Sequence, residues 1–459
     1  QMIGTAITTA GDSVASIKTE LANNSGYDGV QGIYNKTATN AVMLIQAQSN
    51  GQLLEAARYD SDTAGATSAG ATVCQNCPDL WWADTSDQTI DTSNTFKIGL
   101  ITTTDGPAAS TGDNIEQAAR MAVREINDAG GVIGSDNVRY TLVLTTYAAT
   151  TADEASTVFD QAVQDGMQLI MGPDFNAQIL NNLYAAQTAS IPQFVSATNS
   201  QITADEPANY VFQIRANDTT LVNAAADYLL NVRDLTRFAS VAARTDYGLN
   251  AIDTFNETVV NSDDGQLVLR LEHDVDAEEA DFATLASQIS DANVEAVVIW
   301  STQPAAASLL NELAKLNWSG TVVYGYLTPD FATSLTLSDS IEVLGPVNWW
   351  DTAGDWASRD FTTRYSERYG EAPTSQSAAY YDGIYLIAKA VAATGIDASQ
   401  LQTWLMDLES FNGVQGSYTP NTYANGELTR AVEIVQAIGQ QIIEIARYDG
   451  VTCRAYCGD

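Results

Sequence analysis

Histidine is almost absent from this chain: His273, in LEHDVD, is the only one among 459 residues. A Ser-His-Asp triad therefore has one possible base, and a metal site built from several histidines is excluded. His273 itself reads as an exposed loop residue after a predicted strand. Basic residues are scarce too, with 20 Lys and Arg against 57 Asp and Glu, a formal charge of −37. The deficit runs along the whole chain, and such a field repels nucleic acid and anionic lipid. It suits a saline or acidic habitat equally well. No stretch reaches the roughly 18 consecutive apolar residues of a membrane span, and any export signal is expected to have been removed or to lie outside this sequence. GxGxxG, GxxxxGK[ST] and GxSxG motifs are missing, so a catalytic reading has nothing to rest on and no cofactor is expected.

What the chain does have is apolar content of 45%, ample for two or three globular domains. It also repeats itself. YDGVQGIY at 27–34 recurs as FNGVQGSY at 411–418, AVMLIQA at 41–47 as AVEIVQA at 431–437, and EAARYD at 55–60 as EIARYD at 444–449. Residues 1–60 thus copy the end of the chain, and their apolar side chains need partners that an earlier half-module would supply. Three arrangements are open: a fragment of a tandem array, docking on another subunit, or replacement of the counterpart within the same module. Residues 61–95, rich in Ser, Thr, Gly and Asp, read as a linker around a small Cys loop.

The four cysteines fall in two close pairs, Cys74 with Cys77 and Cys453 with Cys457. A zinc site drawing on both pairs fits no common finger spacing. A local disulfide closing each repeat is the alternative, and it implies an oxidising, extracytoplasmic compartment. Asn-x-Ser/Thr sequons at Asn23, Asn35, Asn217, Asn256 and Asn317 permit the same location.

From residue 96 the chain turns regular. The β-branched run 96–102 is followed by a polar turn at 105–113 and by helical periodicity through Ile115, Ala118, Met121, Ala122 and Ile126. Strand and helix patterns then alternate to residue 324, pausing at 210–216. Connections of helical length imply right-handed crossovers and parallel sheets. Two α/β lobes are expected, with a ligand cleft where their strand ends face each other.

The order of these units resembles the type I solute-binding proteins of ABC importers, in the leucine/isoleucine/valine-binding group. The resemblance is carried by IGLITTTDGPAASTGDNIEQAARMAVREINDAGGV, IMGP, SATNSQIT, YVFQIRA, RTDYG and SQSAAYYDGIYLIAKA. It implies an α/β fold of two doubly wound parallel-sheet lobes joined by a three-stranded hinge, with crossings near 213–216, 345–347 and 414–416. Lobe I would comprise 96–213 with 347–415, and lobe II 214–346 with 416–459.

Carried over by motif, the resemblance implies ligand contacts from Thr111, Asn176, Ser196 and Thr198 in the first lobe, and from Tyr247, Ser301, Gln303 and Tyr326 in the second. Where amino-acid binders of the group place the acid that pairs with the ligand ammonium, this sequence has Leu327, with Asp330 three residues on. Trp349 and Trp350 are candidates for the mouth of the cleft or for core packing. The implied function is an extracytoplasmic protein, not an enzyme, that captures a small polar solute (an amino acid, amide or related compound) and presents it to an ABC permease or membrane receptor. The alternative is an extracellular filament subunit on the same fold, self-assembling through residues 1–60 docked on a neighbour.

Overall fold

A computed structural model describes residues 94–459, apart from 205–208, 336–339, 352–355, 421–424, 440 and 456–459, together with the backbone of 27–29, 32–34, 42–47, 53–60 and 73–74. The chain divides into two compact units, residues 1–78 and 79–459.

In the first unit Tyr27–Gly29 (β1) pairs antiparallel with Gly32–Tyr34 (β2), while Val42–Ala47 (β3), Leu53–Asp60 (β4) and Val73–Cys74 (β5) form an antiparallel sheet. In β3 and β4, Met43 faces Arg58, Leu44 faces Ala57, and a bulge follows before Ile45 faces Glu55.

The second unit contains two larger sheets. Thr95–Thr102 (β6), Val132–Ile133 (β7), Arg139–Ala148 (β8), Leu169–Met171 (β9), Gln193–Val195 (β10) and Val211–Gln213 (β11) lie in the order β11-β10-β9-β6-β8-β7, all parallel except β7 against β8. The strands alternate with helices that cover both faces, which explains the nearly unbroken apolar run of β6. Phe96, Ile98 and Leu100 enter one core with the helices Ala109–Asp128 and Ser375–Thr394, while Ile101 enters another with Ala152–Gln164. Ser375–Thr394 is apolar nearly all round and correspondingly buried.

The second sheet joins Arg237–Ala243 (β12), Gln266–His273 (β13), Ala296–Trp300 (β14), Gly320–Tyr324 (β15) and Ile341–Val347 (β16) in the parallel order β13-β12-β14-β15-β16. After a short hairpin of Phe411–Asn412 (β17) and Ser417–Tyr418 (β18), Ala431–Ile438 (β19), Gln441–Asp449 (β20) and Thr452–Ala455 (β21) extend this sheet antiparallel to β16. Their register parallels that of β3 and β4: Glu433 faces Arg447, Ile434 faces Ala446, and a bulge follows before Val435 faces Glu444. Cys74 stands opposite Tyr59 as Cys453 stands opposite Tyr448. Cys453 is disulfide-bonded; the pairing expected from sequence involves side chains outside the described residues.

The expectation for His273 is corrected. His273 is not an exposed loop residue: it ends β13, is 5% exposed, and its Nε2 lies 2.8 Å from Ser301 Oγ. The strand runs one turn of the pattern further than its apolar residues suggest, and Phe282 covers the ring edge-on. Two sequons are also closed to modification in the folded protein, because Asn217 and Asn256 are buried.

The chain passes between the two sheets three times: at 213–217 after β11, at 347–349 after β16, and at 428–431 before β19. The third passage comes later than the expected 414–416, because Val414, Tyr418 and Leu428 all pack in the first-sheet core. Crossing segments lack regular ladder partners, so side chains must satisfy their buried peptide groups. Gln213 Nε2 donates to Ala197 O and Asn199 O, both at 3.0 Å. Gln415 Nε2 donates to Ile214 O at 3.0 Å, and Asn348 Nδ2 to Ala216 O at 2.8 Å. Asn217 caps the helix Asp218–Asp227 through Thr220 N and donates to Glu427 Oε1 at 2.9 Å.

Asp382, wholly buried, anchors the 413–418 loop beside these crossings. It accepts from Val414 N at 2.7 Å, from Gln415 N at 3.0 Å and from the Tyr418 hydroxyl at 2.9 Å. Asp382→Ala strands three buried donors and is expected to lower stability by about 3 kcal/mol or more, read from urea unfolding. Gly413→Ala should also destabilise, since its Cβ would stand 2.3 Å from Asp382 Cγ. Wild-type midpoints in both variants would contradict this anchoring role.

Candidate functional site

The strand-to-helix loops of the two sheets border a cleft of about 640 Å³, floored by the crossing segments. One wall comes from the first sheet. Thr111 lies in the first turn of Ala109–Asp128 after β6, Asn176 starts Asn176–Leu180 after β9, and Ser196 and Thr198 follow β10. The opposite wall comes from the second sheet, with Tyr247 in the first turn of Asp246–Val260 after β12 and Tyr326 after β15.

The structure therefore brings six of the eight candidate residues to one cleft. Ser301 and Gln303 lie outside it: Ser301 is held by His273, and Gln303 Nε2 donates to Thr328 Oγ1 at 2.6 Å. Asn176 shapes the wall, its Oδ1 accepting from the backbone N–H groups of Thr198 and Asn199, both at 3.0 Å. Leu327 lines the cleft but is 3% exposed, packed against Gly345. The Asp330 side chain lies outside the described residues. Trp349 and Trp350 both reach the cleft while anchored elsewhere, Trp349 Nε1 donating to Ser358 Oγ and Trp350 Nε1 to Ile442 O.

Sequence reasoning missed the charged members. Arg215, on the first crossing, donates through Nη1 to Ser196 O at 3.2 Å and through Nη2 to Asn348 Oδ1 at 2.7 Å and Ser375 Oγ at 3.2 Å. Its Nε is sealed from solvent and has no acceptor. Desolvation lowers its pKa, opposed through space by Asp218 and then Tyr326 and Asp174. The guanidinium keeps its charge regardless. The one available signal was an arginine in a crossing segment of a chain so poor in them.

Asp174, after β9, accepts from the Tyr380 hydroxyl and from Ser196 Oγ at 3.5 Å on one oxygen, and from Thr102 Oγ1 at 3.0 Å on the other. Burial pushes its carboxyl up to about 6 despite these bonds. Asp218, first residue of its helix, is pushed up to about 6 by the same cause. Among the described residues no group of three or more His, Cys, Asp or Glu is placed to hold a metal ion.

A folded-state pKa near 6 lies above the ordinary Asp value of 3.8, so the Asp174 contribution to stability is complete below about pH 4 and is lost as pH rises through 6. Asp174→Asn keeps the acceptor toward Tyr380 and removes the titration. Relative to wild type the variant should gain on the order of 2 kcal/mol between pH 4 and pH 7, measured by urea unfolding. A difference independent of pH would contradict it.

The model of the Periplasmic binding protein family matches residues 95–441. The Leu/Ile/Val-binding protein BraC3 of Rhizobium johnstonii is 27% identical over 230 residues, covering 50% of this chain and 60% of that protein, less than two thirds of its length. A putative branched-chain amino acid ABC transporter protein from Rhodospirillum rubrum superposes with a TM-score of 0.67 at 19% identity, over 76% of this chain and 100% of its own. A solute-binding protein of an ABC transporter from Rhodopseudomonas palustris, in complex with 3,4-dihydroxy benzoic acid, gives a TM-score of 0.60 at 20% identity, over 78% and 98%. The architecture is the type I periplasmic binding protein fold. Since the family match runs from the first residue of β6 to the first residue of β20, through both sheets and all three crossings, the chain belongs to the periplasmic binding protein family.

Proposed function

We propose that this protein is the solute-binding component of an ABC-type uptake system, closing two lobes around a small polar solute and offering the closed form to a membrane permease. The observation that carries this reading is a cleft with one wall from each sheet and a floor made of the crossing segments. A solute touching both walls stabilises the closed arrangement by its differential contacts, and hinge bending at the crossings is the motion available. The relatives' names point to amino acids, and the bound 3,4-dihydroxy benzoic acid of one structural neighbour points to aromatic acids.

An extracytoplasmic location fits the family and the disulfide at Cys453, since such bonds persist in oxidising compartments. Among the described residues no helix is long and apolar enough to cross a membrane. The assembly role for residues 1–60 gains no support from a family match confined to 95–441.

Titration calorimetry with amino acids, amides and small carboxylates tests the clamp. At least one solute should bind, and Tyr247→Ala and Thr198→Ala, one on each wall, should each weaken it by tenfold or more. A folded protein that binds none of them, or binding unchanged in both variants, would sink the reading.

A further inference from the structure

We propose that the solute is a small aromatic carboxylate, an anion without an ammonium group, and that Arg215 receives its carboxylate. This rests on the clamp reading above. A guanidinium carries five N–H donors, and Arg215 uses three, all on neutral acceptors: a backbone carbonyl, an amide and a hydroxyl. Among the described residues no carboxylate lies within ion-pair distance of it, although the chain has 57 acidic residues to 20 basic ones. Many arginines of the chain pair directly with an acid, as Arg233, Arg244, Arg270, Arg364 and Arg447 do. Arg215 is held apart by its place on the crossing, half-buried against the cleft. Asp218 and Asp174 act on it only through space, so a ligand carboxylate would be its first directly hydrogen-bonded anion.

The acids that border the cleft are already engaged. Leu327 gives the second wall an apolar side chain, and both oxygens of Asp174 already accept hydrogen bonds from Tyr380, Ser196 and Thr102. Asp218 acts on Arg215 through space, and Asp351, the other described carboxylate bordering the cleft, is not free either. The walls instead offer rings. Phe175 is 38% exposed, Tyr247 38% and Tyr326 61%, and all three border the cleft, Phe175 from the first sheet and the tyrosines from the second. Exposed aromatics drawn from both lobes into one concavity form facing surfaces for a flat ring.

Calorimetry on the full chain at pH 7.5 with benzoate, 4-hydroxybenzoate, benzamide and leucine separates the possibilities. The benzoates should bind, benzamide and leucine at least 100-fold more weakly, and Arg215→Met should reduce benzoate affinity at least 100-fold with the melting temperature retained. Should Arg215→Met fail to fold, the wild-type preference for benzoate over benzamide decides, and its absence overturns the proposal. Benzoate binding undiminished in Arg215→Met overturns it too. Leucine binding tighter than benzoate and lost in Asp218→Asn overturns this inference while leaving the clamp reading intact, whereas a folded protein that binds nothing in this panel or the wider one above overturns both.

Discussion

Peptide groups that cross between two sheets soon run out of ladder partners, and satisfying the rest constrains everything around the cleft. Asn348 and Gln415 meet that need by donating to Ala216 O and Ile214 O, while Gln213 ties the first crossing to the loop after β10 and Asn217 ties it to Glu427. Asn348 is the clearest case: its Nδ2 donates to Ala216 O while its Oδ1 accepts from Arg215. The same amide that satisfies the hinge backbone thus orients the cation on the cleft floor. Asp382 does comparable work one layer deeper, with its carboxylate gathering the loop that carries Gln415.

Electrostatics then divides the molecule. The exposed arginines are absorbed by acid neighbours, and in high dielectric those pairs add little stability. In the cleft the balance reverses, because desolvation weighs on every charge there. It raises the Asp174 and Asp218 carboxyls to about 6 and leaves Arg215 positive, hydrogen-bonded only to neutral acceptors.

The alternation of strands and helices was legible because parallel strands buried on both faces are continuously apolar, as in β6, and because the intervening helices keep a clear stripe, as in Ala109–Asp128. Six cleft residues were reachable because they sit on strand-end loops, where motif and topology agree. Ser301 and Gln303 occupy equally plausible loop positions, but tertiary contacts with His273 and Thr328 take them elsewhere. Arg215 was hidden for the opposite reason: crossing segments have no periodicity, and only the assembled hinge shows that its hydrogen-bond acceptors are neutral. The third crossing was misplaced because a GVQG turn resembles a hinge, whereas packing of Tyr418 and Leu428 defers the passage.

The central claim is that one solute is gripped by both lobes over a fixed cation. The most direct measurement is a crystal structure of the protein grown with a saturating aromatic carboxylate. The ring should lie between the Phe175 and Tyr247 walls, with its carboxylate oxygens within hydrogen-bond distance of the Arg215 guanidinium. A solute seen on one wall only, or with its carboxylate turned away from Arg215, would contradict it.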